Sequence, residues 1–238
     1  MSNTKHRKNG KAILVIDVGG THVKAMATGH KQKIVIPSGK RMTAAKMVAA
    51  VLAATKDWRY SFVSIGYPGV VVQGRPISEP CNLGIGWVGY DFKKGLGHPV
   101  KIVNDAAMQA LGSYQGGRML FLGLGTGLGS AVIADNVLEP MELAHLPYKK
   151  GRSYEDYAGS AGLKRLGKKK WRHHVDKIVR RLRHAVQAEY VVLGGGNAGL
   201  IKALPPSTRL GSNDYAFKGG CRLWNRQYNG SDRERFTT

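Results

Sequence analysis

The sequence predicts an α/β protein in two similar halves, each opening with a strand that runs into a phosphate-type glycine loop. Three observations point there. Short apolar runs end repeatedly in glycine, as Ala12–Asp17 does before Gly19-Gly20 and Met119–Gly123 does within GLGTGLG. Hairpin signals are mixed with strand-to-helix units. A soft shift in composition falls near Val103, which separates a small N-terminal α/β lobe, residues 1–103, from a C-terminal α/β lobe, residues 104–238.

In chain order, residues 12–17, AILVID, read as a buried strand entering a turn. His22–Ala27 and Lys33–Ile36 flank Thr28-Gly29-His30 in a hairpin pattern. The run AAKMVAAVLAA behind Thr43 is rich in strong helix formers, so a helix over Thr43–Thr55 is expected, capped by Thr43. Phe62–Gly66 reads as a second buried strand and Val70–Gln73 as a hairpin strand. Pro76–Pro99, rich in Gly and Pro, reads as one long loop of the kind that carries function. Val100–Val103 is a strand that ends at Asn104-Asp105, with a helix over Ala106–Tyr114. Met119–Gly123 and Ser130–Ala134 are strands joined by the second glycine loop. Trp171, Val175, Ile178, Val179, Leu182 and Val186 recur at helical spacing among basic residues, giving an amphipathic helix over Trp171–Ala188 with a cationic outer face. Tyr190–Leu193 is a buried strand before Gly194-Gly195-Gly196, and the polar tail from Asn225 is expected to fray.

The 238 residues include 37 Lys and Arg against 15 Asp and Glu, a formal net charge of +22. A 42% hydrophobic content supports a packed core and argues against intrinsic disorder. No apolar run approaches the roughly 20 residues that span a bilayer, and the basic N-terminus lacks a secretory pattern. Cys81 and Cys221 supply neither a disulfide framework nor a Cys-rich zinc site, which fits a cytoplasmic setting. Self-repulsion at +22 asks for a polyanionic partner: nucleic acid, an anionic membrane or a polyanionic small substrate. The basic residues are densest from Lys149 to Arg183, a stretch that also reads as a solvated helical face. No zinc-finger spacing, RNP-type aromatic motif or helix-turn-helix accompanies them.

Four constellations carry chemistry. In Asp17-Val18-Gly19-Gly20-Thr21-His22-Val23-Lys24 the glycines let backbone N–H groups approach an anion and Thr21 adds a donor, while Asp17 can organise a hydrated Mg²⁺. The bland alternative is a Gly-Gly hairpin with a chance Asp. Gly123–Gly129 with central Thr126 is a second phosphate cradle, neither a Walker A loop nor a dinucleotide fingerprint; alone it could be a flexible hairpin. Asp105, where a strand meets a helix, can accept a proton from a substrate hydroxyl, although helix capping by Asn104 or Asp105 is the more ordinary reading of the pair taken alone. Glu142, His145 and Glu155 bring two carboxylates and an imidazole together, a set suited to binding several hydroxyls; a metal site is the rival reading, poorer in ligands than zinc wants. His173-His174 on the basic helix reads as surface charge.

DVGGTHVKA, VNDA, LGLGTGLGSAVI, ELAH and VVLGGGNA, in that order between about residues 12 and 200, resemble the ROK group of sugar kinases. Within that group the chain looks most like the polyphosphate-using glucokinase branch. The resemblance implies an actin-like/hexokinase-like (ribonuclease H-like) two-lobe ATPase fold. It also implies phosphoryl transfer to the 6-hydroxyl of glucose, with inorganic polyphosphate and/or ATP as donor and Mg²⁺ as cofactor. By resemblance, Asp17, Gly19, Gly20, Thr21 and Lys24 form the first phosphate motif, with Asp17 at the metal, and Gly125, Thr126, Gly127 and Gly129 the second. Asp105 is the implied catalytic base with Asn104 beside the sugar. Glu142, His145 and Glu155 bind hydroxyls, Gly69 and Asn82 line the same pocket, and Gly194, Gly195 and Gly196 match the turn beside the nucleoside in ATP-using relatives. Many members carry a Cys-rich zinc motif after the His; this chain has no cysteine between Cys81 and Cys221, so no structural zinc is expected. Too few residues precede the first strand for a winged helix, so DNA is not an expected partner by that route, nor is a membrane. A homodimer is a family expectation. The alternatives kept open are a strictly ATP-dependent glucose or mannose kinase and a non-catalytic sugar- or polyanion-binding protein on the same fold.

Overall fold

The computed structural model describes residues 12–212 and 214–225. The basic N-terminal stretch and the polar tail beyond Asn225 lie outside the described residues. The first half begins with β1 (Ile13–Val18), β2 (His22–Ala27) and β3 (Ile34–Pro37), an antiparallel meander. Helix α1 (Ala44–Ala54) follows, its first turn closed by the Thr43 hydroxyl, which accepts from Lys46 N at 3.3 Å. Such a cap contributes about 1 kcal/mol. Then come β4 (Phe62–Tyr67), a small ribbon of β5 (Val71–Val72) and β6 (Arg75–Pro76), helix α2 (Phe92–Leu96) and β7 (Val100–Asn104). β4 lies parallel to β1 and β7 parallel to β4, giving the order β3-β2-β1-β4-β7.

The second half repeats this plan. Helix α3 (Asp105–Ser113) leads into β8 (Met119–Leu124), β9 (Leu128–Ala134) and β10 (Val137–Met141), again an antiparallel meander. A strap follows, made of a 3₁₀ turn (Leu143–His145), the ribbon β11 (Pro147–Lys149) and β12 (Arg152–Ser153), and helix α4 (Glu155–Ala158). Helix α5 (Ser160–Ala185), β13 (Tyr190–Gly194), β14 (Thr208–Leu210) and α6 (Tyr215–Arg222) complete the chain. The second sheet has the order β10-β9-β8-β13-β14, with β13 parallel to β8 and β14 parallel to β13. Both sheets therefore have the same order and the same strand directions. This doubled arrangement is the actin-like/hexokinase-like fold, with a ribonuclease H-like sheet in each half.

The central strands are apolar on both faces because helices cover them. Leu14, Ile16, Val63 and Ile65 pack with α1 residues Met47, Val48 and Val51, and Leu120, Leu122, Val191 and Leu193 pack with α5 residues Trp171, Val175, Ile178 and Leu182. α6 comes after the second sheet in sequence but packs along α3 and against β1 and β4. Ser64 Oγ donates to Gly220 O at 2.6 Å and itself accepts from Trp224 Nε1 at 2.9 Å.

Three expectations are revised. α2 lies inside the expected long loop: Asp91 caps it by accepting from Lys94 N at 2.9 Å, and its length is too short for helical periodicity to show. The amphipathic helix starts at Ser160, bends where Gly167 adopts φ 72°, and ends at Ala185. His174 is also more than surface charge. Its Nδ1 is 2.9 Å from the Tyr148 hydroxyl, and burial holds its pKa below the ordinary histidine value.

Candidate active site

The two glycine loops occupy equivalent places in the repeat: each is the turn of the first hairpin of its sheet, Gly19-Gly20 between β1 and β2, Gly125–Gly127 between β8 and β9. They face one cleft of about 520 Å³, closed by the start of α3 between them. Its lining also includes Pro68-Gly69 after β4, the segment Pro80–Leu83, Glu142, Ala144, Glu155 and Gly195.

Each loop is pinned from behind, which leaves its front free. Gly19 N donates to His22 O at 3.0 Å, and Ser38 Oγ donates to Gly19 O at 2.6 Å. In the second loop the carbonyl of Gly125 accepts from Ser160 N, Ser160 Oγ and Asn197 Nδ2 at 3.0, 2.9 and 3.1 Å. Glu155 supports the loop too, accepting from Leu128 N at 3.0 Å. Gly195 sits at φ 82° with its α-carbon against the Leu124 carbonyl, so a side chain there meets both an unfavourable backbone and a filled space.

Asn104 and Asp105 divide two roles between them. Asn104 caps α3, its Oδ1 accepting from Ala106 N at 2.9 Å and Ala107 N at 3.3 Å, while its Nδ2 donates to Gly69 O at 3.1 Å. Asp105 is left to face the cleft, its carboxyl accepting from Ala106 N at 2.7 Å. Burial, reinforced by the negative charge of Asp17, pushes its carboxyl up to about 7. The hydrogen bond from Ala106 opposes the rise and Glu142 adds to it. A carboxyl poised there holds or releases a proton near neutrality, as a general base requires. Asp17 itself is half-buried, and desolvation raises its pKa against the charges of Lys24 and Lys33. Lys24 is its cross-strand partner in the β1–β2 register.

Of the residues read from the sequence, Gly19, Gly20, Gly69, Asn82, Asn104, Asp105, Gly125, Thr126, Gly127, Gly129, Glu142, Glu155 and Gly195 line the cleft. Asp17 and Lys24 stand behind the first loop, Thr21 is exposed at its tip, and Gly194 and Gly196 flank the lining residue Gly195. His145 is not brought into the lining. Its side chain is 74% exposed and lies 3.9 Å from Glu142, because the 3₁₀ turn buries Ala144 and directs its neighbours outward. The strap that carries these residues is held to α5 by aromatic packing of Tyr148, Tyr154 and Tyr157, with His174 edge-on to Tyr148 and Tyr157.

Gln109 and Phe121 also line the cleft, unforeseen from the sequence. Gln109 follows Asp105 by four residues, the spacing that puts two side chains on one helix face. Its Oε1 is buried with no hydrogen-bond partner among the described residues.

A duplicated sheet with a glycine hairpin in each half and a carboxylate between the two hairpins defines a member of the actin-like/hexokinase-like class. The sequence model of the ROK family matches residues 13–139, more than half of the chain, and the chain belongs to that family. It is similar to the polyphosphate glucokinase of Mycobacterium tuberculosis, 28% identical over 205 residues that cover 76% of each chain. The polyphosphate glucokinase of Mycobacterium leprae is 27% identical over 219 residues, 82% of this chain and 65% of that protein. Among solved structures, the inorganic polyphosphate/ATP-glucomannokinase of Arthrobacter sp. strain KM superimposes with a TM-score of 0.74 at 24% identity, covering 90% of this chain and 98% of that one. A ROK family glucokinase of Streptomyces griseus, solved with glucose and AMPPNP, gives 0.67 at 18% identity over 89% and 98% of the two chains.

Proposed function

We propose that this protein is a sugar kinase that phosphorylates the 6-hydroxyl of glucose, with inorganic polyphosphate as donor and ATP as a second donor. The observation that carries the reading is Asp105: a carboxyl pushed up to about 7, facing a cleft flanked by two equivalent glycine hairpins. The names of the relatives support the choice of substrate and donor.

In this reading glucose lies between Asp105 and the Glu142/Glu155 side of the cleft, where carboxylates accept from sugar hydroxyls and Asn82 and Gly69 shape the wall. Asn104 fixes the wall by tying α3 to Gly69, and His145 stands at the rim beside Glu142. Asp105 takes the proton of the 6-hydroxyl as the O6–P bond forms and the bridging P–O bond of the donor breaks. Backbone N–H groups of the two glycine loops, apart from those of Gly19 and Gly125, which bond within their own hairpins, hold the phosphoryl oxygens, and Thr126 adds a hydroxyl. The donor set fits Mg²⁺: Asp17 is a half-buried carboxylate beside that of Asp105, and Mg²⁺ binds through few carboxylates together with phosphate oxygens. Bound there, the ion would neutralise charge on the transferring group. Gly195, in the glycine turn that the resemblance sets beside the nucleoside, lines the cleft, and this supports ATP as a second donor.

A coupled assay for glucose 6-phosphate, run separately with polyphosphate and with ATP, tests this directly. Product from polyphosphate supports the reading. Product from ATP alone assigns a strictly ATP-dependent hexose kinase, and no product from either donor leaves a binding protein. Repeating the assay with mannose decides the sugar.

A further inference from the structure

The basic segment sorts into two groups. α5 carries five lysines and five arginines against one acid, Asp176. Every arginine is engaged in the protein. Arg165 donates to Asp156 O at 2.6 Å and lies over Tyr157, Arg172 donates to Leu200 O at 2.6 Å, and Arg183 to Ala188 O at 3.1 Å. Arg180 pairs with Asp176 at 3.0 Å, and Arg181 lies over the ring of Tyr148. None of the lysines (Lys164, Lys168, Lys169, Lys170 and Lys177) makes a hydrogen bond, ion pair or ring contact among the described residues, and all five are exposed. The planar guanidinium suits fixed contacts with carbonyls, whereas the ammonium is a flexible point charge on a long stem. The arginines thus hold the helix in place, and the lysines are left for something outside the protein.

The place where α5 starts says what that is. Its first residue, Ser160, donates its N–H to Gly125 O at 3.0 Å and to Thr126 O at 3.1 Å, so the helix springs from the second glycine loop itself. Lys164 is one turn further on. The break at Gly167 then begins a new helical segment with Lys168, Lys169 and Lys170 in tandem, roughly 12–15 Å of helical rise beyond Ser160. Lys170 and Lys177 stand two turns apart on one face. The large aromatic residue of this segment, Trp171, is fully buried and its Nε1 donates to Ala158 O at 2.9 Å, so it offers no stacking platform for bases. Single-stranded nucleic acid binding relies on such platforms, but a polymer of phosphate alone needs only charge.

We propose that Lys164, Lys168, Lys169, Lys170 and Lys177 form a track outside the cleft for the distal part of a polyphosphate chain whose end lies in the second glycine loop. This rests on the polyphosphate reading of the cleft and adds to it the residues that hold the rest of the donor. The track gives long chains a longer residence than short ones and contributes nothing to ATP.

The test is the triple variant Lys168→Gln/Lys169→Gln/Lys170→Gln, compared with the same positions changed to Arg. With long-chain polyphosphate, the Gln variant should raise KM about tenfold or more and make its dependence on salt shallower by roughly two to three charges. Its KM for glucose and its rate with ATP should stay at the wild-type values, which also shows that it folds, and the Arg variant should restore the low KM. Equilibrium binding of long-chain polyphosphate to wild type and variant, without sugar, reads the track independently of turnover. A wild type that uses ATP alone defeats the donor assignment, while unchanged binding and unchanged salt slope in the Gln variant defeat the track. Duplex DNA bound by the wild type as tightly as polyphosphate, and released by the same substitutions, would overturn the proposal in favour of a nucleic-acid surface.

Discussion

Asp105 is a carboxyl whose folded-state pKa, about 7, lies far above its ordinary value, first through burial and then through the charge of Asp17. Two consequences follow with opposite signs. As a base it works deprotonated, so kcat/KM for the sugar should rise as pH climbs through about 7. The folded state binds that proton more tightly than the unfolded chain, so the protein loses stability as pH rises from about 4 to about 7 and is level above that. Asp105→Asn should therefore cut kcat by about 10²–10⁴-fold while making the protein roughly 2–4 kcal/mol more stable than wild type at pH 8, with the difference gone near pH 4. Denaturant melts at the two pH values check this, and an Asn variant with no gain at pH 8 would show that the carboxyl is not desolvated. Gln109 supplies the companion case. Gln109→Leu removes a buried acceptor that has no protein partner, so a gain of about 1 kcal/mol is expected. If that acceptor serves a ligand hydroxyl, kcat/KM should fall about tenfold in the same variant; stability gained with full activity would mark it as idle. The difference in legibility between the two has a physical basis. Asp105 stands out in the sequence because a strand ends and a helix starts there, whereas Gln109 matters only through the strands that α3 faces, which no local pattern reveals. The orientation of His145 is hidden from the sequence for a similar reason, since a single turn of 3₁₀ helix decides whether it faces the cleft or solvent.

Among the elements, those with internal periodicity or flanking glycine were legible, and those defined by their neighbours were not. β1, α1, β4, β8 and β13 are apolar runs or strong helix formers closed by recognisable caps and turns. β10 is an edge strand containing Pro140, and α6 has only eight residues with two consecutive glycines, so neither shows a pattern of its own. The reason for those glycines lies in packing. α3 and α6 cross with Gly112 against the Tyr215 carbonyl and Gly219 against the Met108 carbonyl, so that each helix backbone occupies the space a side chain would need. Gly219→Ala should force the helices apart and cost at least the 1–3 kcal/mol typical of overpacking. Because α3 begins at Asp105, the same variant should also weaken catalysis beyond its effect on stability. Parallel measurements of unfolding free energy and of kcat at a temperature where the variant stays folded separate the two. A stable variant with wild-type kcat would show that the crossing gives way without moving the base.

At the scale of the molecule, the two halves repeat one sheet order, and this placed a glycine hairpin on each side of the cleft; strand pairings across long sequence separations had to form before that equivalence could be seen. Net charge is the other global property, and it was visible from composition at once. Among the described residues three ion pairs are present, one of which requires a protonated His145, so local pairing offsets little of the +22. The five unpartnered lysines of α5 add repulsion along one helix. Salt screens such charges over about 8–10 Å at physiological strength, so the unfolding temperature should rise by several degrees between low and physiological ionic strength. For a protein stabilised mainly by surface ion pairs the sign would be reversed. Long-chain polyphosphate should raise the unfolding temperature further than sulfate at the same phosphate or sulfate concentration, because it binds the native track rather than only screening it. The excess should vanish in the Lys168→Gln/Lys169→Gln/Lys170→Gln variant. That variant should also melt at or above the wild type in low salt, because three like charges are gone from one helix. If instead it melts lower, the lysines serve the fold and the charge excess needs another explanation.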